Sequence, residues 1–272
     1  MEPRGMDTAF TGSVPQRYQR YMVPMIFEPY AVEMARRVAA REPTRVLEVA
    51  AGTGVVTRHL ADLLPEPVGI IGTDLNPAML EQAAKEGTSR PVTWQQADAQ
   101  HLPFPDASFD VVVCQFGAMF FPDRPGAYAE VRRVLRPGGT FLLSVWDRIE
   151  DNAFADTISR TLADMFPEDP PRFMEQTPHG YHDPIVITRD LAVGGFAHRP
   201  DIATVSARSV APSPRFVAVA YCEGTPWGGE IEARQPGVVP EAVDRAEAAI
   251  AREFGTGAVD GKIQALMVAV DV

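Results

Sequence analysis

A pair of glycines and a later aspartate are the first residues whose spacing suggests chemistry. Gly52 and Gly54 follow the apolar run at residues 45–50, and glycine there lets a backbone turn tightly and approach a ligand closely. Asp74 lies 22 residues after Gly52. A carboxylate at that distance can accept hydrogen bonds from both hydroxyls of a ribose. Asp74 could instead cap the next helix, although Asn76 fits that role better.

Two later pairs of residues, Asp98-Ala99 and Gln115-Phe116, also follow apolar runs. The Asp98 carboxylate could accept a hydrogen bond from the exocyclic amine of an adenine, while the neighbouring backbone N–H serves a ring nitrogen. Taken alone, Asp98 fits a turn former as well. Gln115 and Phe116 would lie at the same edge of the sheet, where Phe116 would form a wall of a cleft, although phenylalanine is more often a core residue.

Strands that end at one edge of a sheet must position these residues, and the first half of the sequence predicts such strands. Short apolar runs alternate there with amphipathic stretches, as in repeated strand–helix–strand units. The five predicted strands span residues 45–50, 68–73, 92–97, 109–114 and 140–146. This order predicts a parallel sheet with helices on both faces, which brings the carboxyl ends of the strands to one ligand-binding edge.

The second half of the sequence has a different character. Prolines and aromatic residues cluster between residues 147 and 235, where three of the five histidines also lie. We interpret this stretch as a cap that is inserted between core elements and contains one strand, at residues 202–209. A helix at 241–254 and a strand at 262–270 would complete the core. The predicted organisation is an N-terminal lid at 1–40, an α/β core at 41–147, the cap at 148–235, and a C-terminal helix and strand at 236–272.

The order and wording of these segments resemble the class I S-adenosylmethionine-dependent methyltransferases. LEVAAGTG, GTDLNPAML and EVRRVLRPGGTFLLSVW are similar to the branch of that family found in ubiquinone and menaquinone biosynthesis. The resemblance is strong over residues 17–147 and looser over the cap. It implies a Rossmann-like, doubly wound α/β sheet of seven strands, the last one antiparallel, with an inserted cap.

The resemblance also implies a set of cofactor-binding residues. They are Tyr18, Tyr21, Glu48, Ala50, Gly52, Thr53, Gly54, Asp74, Leu75, Met79, Asp98, Ala99, Gln115 and Phe116. The glycine loop with Glu48 would line the methionine half of S-adenosylmethionine, and Asp74 would hold its ribose. Asp98 with Ala99 would hold its adenine, and Gln115 with Phe116 would lie beside the reacting sulfonium.

Two parts of this set carry open alternatives. In similar enzymes an N-terminal segment closes over the cofactor, so Tyr18 and Tyr21 are candidates to bond its carboxylate, but an amphipathic helix packed on the core fits the same residues. The family often has a further glycine where this sequence has Ala50-Ala51. A methyl group there is tolerable if the chain keeps a negative φ, but it leaves somewhat less room.

The residues that would act on the acceptor, the molecule that receives the methyl group, are harder to identify. A general base is needed only if the nucleophile carries a proton that must leave. His179, Tyr181 and His182 form one candidate cluster for catalysis, although solvated loop residues fit the same pattern. His179 and His182 also have a metal-like spacing, but no cysteine lies nearby, and we predict no metal site.

The composition of the chain limits the classes of binding partner and the cellular compartment that we expect. The formal net charge of −11 argues against a nucleic-acid partner. The apolar runs fall short of the ~18 residues of a membrane span, and Met1 to Gly12 lacks the pattern of a secretory signal. Two cysteines without a CxxC motif favour a reducing, cytoplasmic compartment. The oligomeric state stays open, and a homodimer is one assembly that the sequence allows.

We therefore expect a cytoplasmic methyltransferase that uses S-adenosylmethionine and methylates an O, N or C atom of a small, largely apolar molecule. One alternative is an enzyme that uses the same cofactor for cyclisation or for transfer of another group. A second is a non-catalytic module that binds the cofactor. A nicotinamide-dependent oxidoreductase is disfavoured, because Thr57 stands where the dinucleotide motif needs its third glycine.

Overall fold

The computed structural model describes residues 14–272, and strands alternate with helices through its first half. The strands are β1 (Arg45–Val49), β2 (Gly69–Asp74), β3 (Thr93–Gln96), β4 (Phe109–Gln115), β5 (Leu135–Trp146), β6 (Asp201–Ala211) and β7 (Val259–Asp271). The α-helices are α1 (Val14–Arg17), α2 (Glu28–Ala39), α3 (Val55–Leu63), α4 (Pro77–Glu86), α5 (Arg124–Val134), α6 (Ala153–Met165), α7 (Phe173–Gln176), α8 (Pro184–Val193), α9 (Pro214–Gly224), α10 (Trp227–Arg234) and α11 (Val239–Phe254). A π-helical segment occupies Tyr18–Phe27, and short 3₁₀ turns occupy Ala118–Phe120 and Ile149–Asp151.

The seven strands form one sheet in the order β3-β2-β1-β4-β5-β7-β6. Strands β1 to β5 pair in parallel with their neighbours, whereas β7 runs antiparallel to β5. The prediction of a doubly wound α/β sheet of seven strands with an antiparallel last strand is therefore confirmed. The strand order reverses between β1 and β4, and open α/β sheets bind ligands outside the carboxyl ends of the strands at such a switch point.

Local sequence explains why the elements next to this edge form where they do. All residues of β4 are buried, as expected of a central parallel strand that is covered on both faces. Helix α4 begins at Pro77 because the Asn76 side chain accepts the Ala78 N–H at 2.9 Å, and a proline at the first helical position has no N–H to satisfy. It ends before Gly87, whose φ is +74°. The prediction that Asn76 caps the N-terminus of α4 is confirmed.

The chain divides into two units, which we call the sheet unit and the helical unit. The sheet unit consists of Glu28–Trp146, Tyr181–Val205 and Ala265–Val272, and it contains β1 to β5. The helical unit consists of residues 14–27, Asp147–Gly180 and Ser206–Gln264. In the helical unit, α11 packs on both α6 and α9. The predicted domain boundaries, including the cap at 148–235, stay a prediction.

None of the helices within residues 14–272 combines the length and the apolar character that crossing a bilayer requires.

Candidate cofactor site

The ends of β1, β2 and β3 meet through direct hydrogen bonds in the sheet unit. The Ala51 N–H donates to the Thr73 carbonyl at 2.8 Å, and the Ala97 N–H donates to the Asp74 carbonyl at 3.1 Å. The Thr73 hydroxyl donates to the Glu48 carbonyl at 2.9 Å. The structure thus brings the residues predicted from three separate strands to one edge of the sheet.

The loop after β1 depends on glycine at two positions. Gly52 and Gly54 have φ values of +56° and +81°, in the left-handed region that only glycine adopts without cost. A Cβ at Gly54 would also lie 2.6 Å from the Trp94 ring, whereas a Cβ at Gly52 would meet only the Met79 Cε, at 3.7 Å. Gly54 is therefore required by packing, and Gly52 leaves space in which a ligand can approach the backbone.

Ala50 does not meet the condition under which its methyl group is tolerable without strain. Its φ is +56° and not negative, and a non-glycine residue in this region carries strain of about 1–3 kcal/mol. The methyl group fits because Gly117, after β4, has no side chain: a Cβ there would lie 2.5 Å from the Ala50 Cβ. The space that a glycine would give at position 50 is supplied by the glycine at position 117.

Asp74 is held by two backbone groups. Its Oδ2 accepts the Gly52 N–H at 2.8 Å, and its Oδ1 accepts the Asn76 N–H at 2.9 Å. A carboxylate presents two acceptor oxygens, and these two backbone hydrogen bonds fix their positions. Two acceptors at a fixed separation suit the two adjacent hydroxyls of a ribose.

The other residues of the predicted adenosyl end lie beside Asp74 along the chain and on the next strand end. Leu75 is 44% exposed and Met79 is buried. The Asp98 carboxylate accepts the Gln100 N–H at 2.9 Å, and the Asp98 carbonyl accepts the His101 N–H at 2.9 Å. Asp98 thus forms a turn, as one of the two interpretations of its sequence expected. Its role toward adenine, with the buried Ala99, stays a prediction.

Phe116 is the centre of an aromatic cluster beyond β4. Its ring stacks on Trp146 with centroids 3.9 Å apart and planes at 7°, and Tyr30 packs edge-on against both rings, at 5.3 and 5.4 Å. The backbone at Phe116 has a φ of +53°, and its N–H donates to the Ser144 carbonyl at 3.0 Å. The preceding Gln115 is buried.

Sequence analysis did not identify Trp146 or Tyr30 as part of this cluster. Trp146 could have been suspected as the last residue of a predicted strand. Tyr30 carries no local signal, because it comes from α2, far from the motifs. Strained backbone that is held by close packing is common at functional sites, and Phe116 has both features.

Glu48 is a buried carboxyl group at the end of β1. Burial raises its pKa to about 8 from the ordinary 4.5, and the nearby Asp74 charge adds to the rise, while the Thr57 hydroxyl and Arg58 oppose it. The Thr57 hydroxyl donates directly to Glu48 Oε2. In the same loop, Thr53 Oγ1 is buried without a hydrogen-bond partner among residues 14–272, an unmet group that a bound ligand could satisfy.

Tyr18 and Tyr21, the predicted lid residues, belong to the helical unit. The Tyr18 ring packs on Phe27 with centroids 5.0 Å apart, and the Tyr21 ring packs on Phe216 at 4.9 Å. Both tyrosines therefore have packed aromatic partners inside their own unit, in keeping with the packed-helix alternative. Their role toward the cofactor stays a prediction.

The predicted catalytic cluster divides between the two units. In the helical unit, buried His179 donates its Nδ1–H to the Asp147 carbonyl at 2.7 Å. In the sheet unit, buried Tyr181 donates its hydroxyl to Asp190 Oδ2 at 3.1 Å, and His182 is half-buried. Catalytic roles for the three stay predictions. Within residues 14–272, no group of three or more His, Cys, Asp or Glu side chains is placed to hold a metal ion.

Part of the chain is similar in sequence to known proteins. Residues 47–143 match a family described as a methyltransferase domain. A demethylmenaquinone methyltransferase from Deinococcus radiodurans is 43% identical over 115 residues, which cover 40% of this chain and 47% of that protein. The chain thus matches about half the length of this curated relative.

Two solved structures show the same fold. A phosphoethanolamine N-methyltransferase from Haemonchus contortus, solved with S-adenosylhomocysteine, has a TM-score of 0.60 at 19% identity and covers 97% of this chain and 59% of its own. The cyclase SpnF has a TM-score of 0.52 at 19% identity and covers 89% of this chain and 80% of its own.

These matches confirm the predicted resemblance to the class I S-adenosylmethionine-dependent methyltransferases, in the branch of ubiquinone and menaquinone biosynthesis. The resemblance to the methyltransferase-domain family extends over residues 47–143.

The contact between Ala50 and Gly117 makes a prediction about stability. Gly117→Ala should lower the free energy of unfolding by about 1–3 kcal/mol, because the new Cβ would overlap that of Ala50. Adding Ala50→Gly should recover most of the loss. Urea denaturation of the four proteins of a double-mutant cycle measures the coupling, which we expect to exceed about 1 kcal/mol.

Gly229→Ala is the matched control for this cycle, because a Cβ at Gly229 meets nothing within 4 Å. Equal losses for Gly117→Ala with and without Ala50→Gly would show that the two positions are independent.

Burial of Glu48 makes a prediction about pH. The folded protein holds the Glu48 proton up to a pH of about 8, whereas an unfolded chain releases it near 4.5. The contribution of Glu48 to stability therefore falls as the pH rises through this interval. Glu48→Gln should remove the fall, so its free energy of unfolding relative to wild type should increase between about pH 5 and about pH 8.

Urea denaturation across this pH range measures the effect. Glu81→Gln makes the same change at an exposed position of α4 and should not alter the pH dependence. The prediction fails if the two variants change with pH in the same way.

Proposed function

We propose that the chain is an S-adenosylmethionine-dependent methyltransferase that methylates a small, largely apolar acceptor. The observation that carries this proposal is the Asp74 carboxylate at the end of β2. The Gly52 and Asn76 N–H groups fix the orientation of its two acceptor oxygens, and two acceptors at a fixed separation suit the adjacent hydroxyls of a ribose. The sequence match to methyltransferases over residues 47–143 supports the same conclusion.

The residues present fit this cofactor. Asp74 would hold the ribose, the open backbone at Gly52 would allow the methionine half to approach closely, and the partly exposed Leu75 offers an apolar surface to the adenine. When bound, S-adenosylmethionine supplies a methyl group that its sulfonium has already activated for in-line displacement.

The protein would then promote the reaction mainly by positioning the acceptor and the cofactor, and less by acid–base catalysis. Holding a nucleophile in line with the transferred group can lower the barrier by about 7–11 kcal/mol without a dedicated catalytic side chain. The packed rings of Phe116 and Trp146 present a rigid apolar wall at the edge where Gln115 and Phe116 are predicted to face the sulfonium. Such a wall excludes water from that side of the site.

An aromatic acceptor of the quinone type is the class that we favour. The Deinococcus radiodurans relative is named for its action on demethylmenaquinone, and an apolar ring suits a site walled by aromatic residues. The identity of the methylated atom, a cytoplasmic location, the lack of a nucleic-acid or membrane partner, and a homodimer stay predictions.

The alternative use of the cofactor in a cyclisation has less support. SpnF shows that this fold also occurs in a cyclase, but at 19% identity the likeness concerns the fold alone. The 43% identity over 115 residues is to a methyltransferase. Mass spectrometry of products separates the cases: methyl transfer yields S-adenosylhomocysteine and an acceptor heavier by one methyl group, whereas cyclisation or transfer of another group yields methylthioadenosine or another fragment and no methyl gain.

Asp74→Asn provides the direct test of the cofactor site. It replaces one acceptor oxygen by an amide donor and should weaken binding of S-adenosylhomocysteine by about 1–3 kcal/mol, or roughly 5- to 150-fold in Kd. Isothermal titration calorimetry with S-adenosylhomocysteine measures the change.

Glu81→Gln on the exposed face of α4 is the control, and we expect its affinity to match wild type. Unchanged affinity in Asp74→Asn, or a wild-type protein that binds NADH and not S-adenosylhomocysteine, would refute the proposed function.

A further inference from the structure

We propose that Arg124 and Tyr181 form a clamp that positions the turn after β4, and with it Phe116, at the predicted sulfonium end of the site. Tyr181 is then a positioning residue that acts through Arg124 and not on the acceptor. The inference rests on the proposed function for its catalytic meaning, but the clamp is defined by contacts inside the sheet unit alone.

The clamp begins with the backbone of the 3₁₀ turn at Ala118–Phe120, which follows Phe116 and Gly117 directly. Arg124, at the start of α5, donates from Nε to the Ala118 carbonyl at 3.2 Å and from Nη2 to the Met119 carbonyl at 2.9 Å. The two donors of a planar guanidinium thus hold two consecutive carbonyls, a geometry that the single ammonium of a lysine cannot reproduce.

The ring of Tyr181 packs against a face of the same guanidinium group. The Arg124 Cζ lies 4.2 Å from the centroid of the Tyr181 ring, well within the range of a cation–π interaction. Tyr181 is only 3% exposed. A cation–π contact shielded from water is stronger than an exposed one, so the ring fixes the plane in which Arg124 presents its donors.

The Tyr181 ring is itself fixed by a buried hydrogen-bond chain between α5 and α8. Its hydroxyl donates to Asp190 Oδ2 at 3.1 Å and accepts the Tyr128 hydroxyl proton at 3.2 Å. The other oxygen of Asp190 accepts from Arg189 Nη2 at 2.9 Å. Every member of the chain thus has a partner, which makes such a network rigid.

The same contacts argue against Tyr181 as a general base. Burial raises the pKa of its hydroxyl above the ordinary 10, and its proton is already donated to Asp190. A base that works at neutral pH needs a pKa near the working pH. The phenol therefore stays protonated, and its contribution is structural order at the turn.

The turn needs such support because the backbone is strained at Phe116, two residues before it. Phe116 has a φ of +53°, which persists only when the surroundings hold it. On one side the Ala50 methyl occupies the space beside Gly117. The hydrogen bonds from Arg124 hold the residues that follow. Without them the 3₁₀ turn and the Phe116 conformation can relax together.

Hydrogen–deuterium exchange tests the clamp on the full chain. In Arg124→Lys and in Tyr181→Leu, amides of the segment 116–121 should exchange about 10- to 100-fold faster than in wild type, because charge-assisted hydrogen bonds to the turn are weakened. The glycine loop at 51–54 should keep its wild-type exchange. The Kd for S-adenosylhomocysteine should rise by less than about tenfold, because Asp74 is intact.

Two variants separate positioning from general loss of stability. Tyr181→Phe keeps the ring under Arg124 and should retain wild-type exchange in 116–121, even if its thermal unfolding temperature falls. Arg132→Lys makes the Arg124→Lys change at an exposed position of the same helix and should have no effect. A uniform rise of exchange across the sheet unit, or equal exchange in Tyr181→Phe and Tyr181→Leu, would overturn the clamp.

The outcomes also distinguish the clamp from the proposed function. A wild-type chain that does not bind S-adenosylhomocysteine contradicts the function, whereas the exchange pattern of 116–121 still decides the clamp. Normal binding with unchanged exchange in Arg124→Lys and Tyr181→Leu overturns the clamp and leaves the function standing.

Discussion

The hydrogen bond between the Asp74 carboxylate and the Gly52 N–H is the contact on which the site depends. It joins the loop after β1 to the end of β2, while the second oxygen of Asp74 holds the Asn76 N–H at the start of α4. A negative charge is also favourable near a helix N-terminus. One side chain thus sets the shape of the glycine loop and fixes the start of α4.

Several features near this contact are energetically unfavourable on their own. Ala50 and Phe116 have left-handed backbone conformations, and Glu48 is a carboxyl group with almost no exposed surface. Each of these features depends on one neighbouring residue. Gly117 gives space to the Ala50 methyl, the Ser144 carbonyl accepts the Phe116 N–H, and the Thr57 hydroxyl donates to Glu48. Natural sequences commonly concentrate such local conflicts at functional sites.

The sequence allowed accurate prediction of those parts whose signals are local. Apolar runs predicted the five parallel strands, and Asn76-Pro77 predicted the start of α4, because a cap and a proline act within one turn of helix. The positive φ of Ala50 has no local signal, because the space for its methyl group depends on Gly117, which lies far along the chain. Tyr30 and Trp146 were missed for the same reason: the stacking on Phe116 exists only once the strands are assembled. Sequence spacing also grouped Tyr181 with His179, whereas the partners of Tyr181 are Arg124, Tyr128 and Asp190.

The extent of the family match gives the clamp a further meaning. Residues 47–143 include Asp74, the glycine loop and Arg124, but Tyr181 and Asp190 lie outside that match. In the proposed function, the part of the chain that resembles known methyltransferases would therefore hold the adenosyl end by its own contacts. The turn at the predicted sulfonium end is held partly by residues from beyond it. If the clamp acts as proposed, a segment outside residues 47–143 would tune the predicted sulfonium end of the site without touching the cofactor or the acceptor, because it needs only to orient the guanidinium of Arg124.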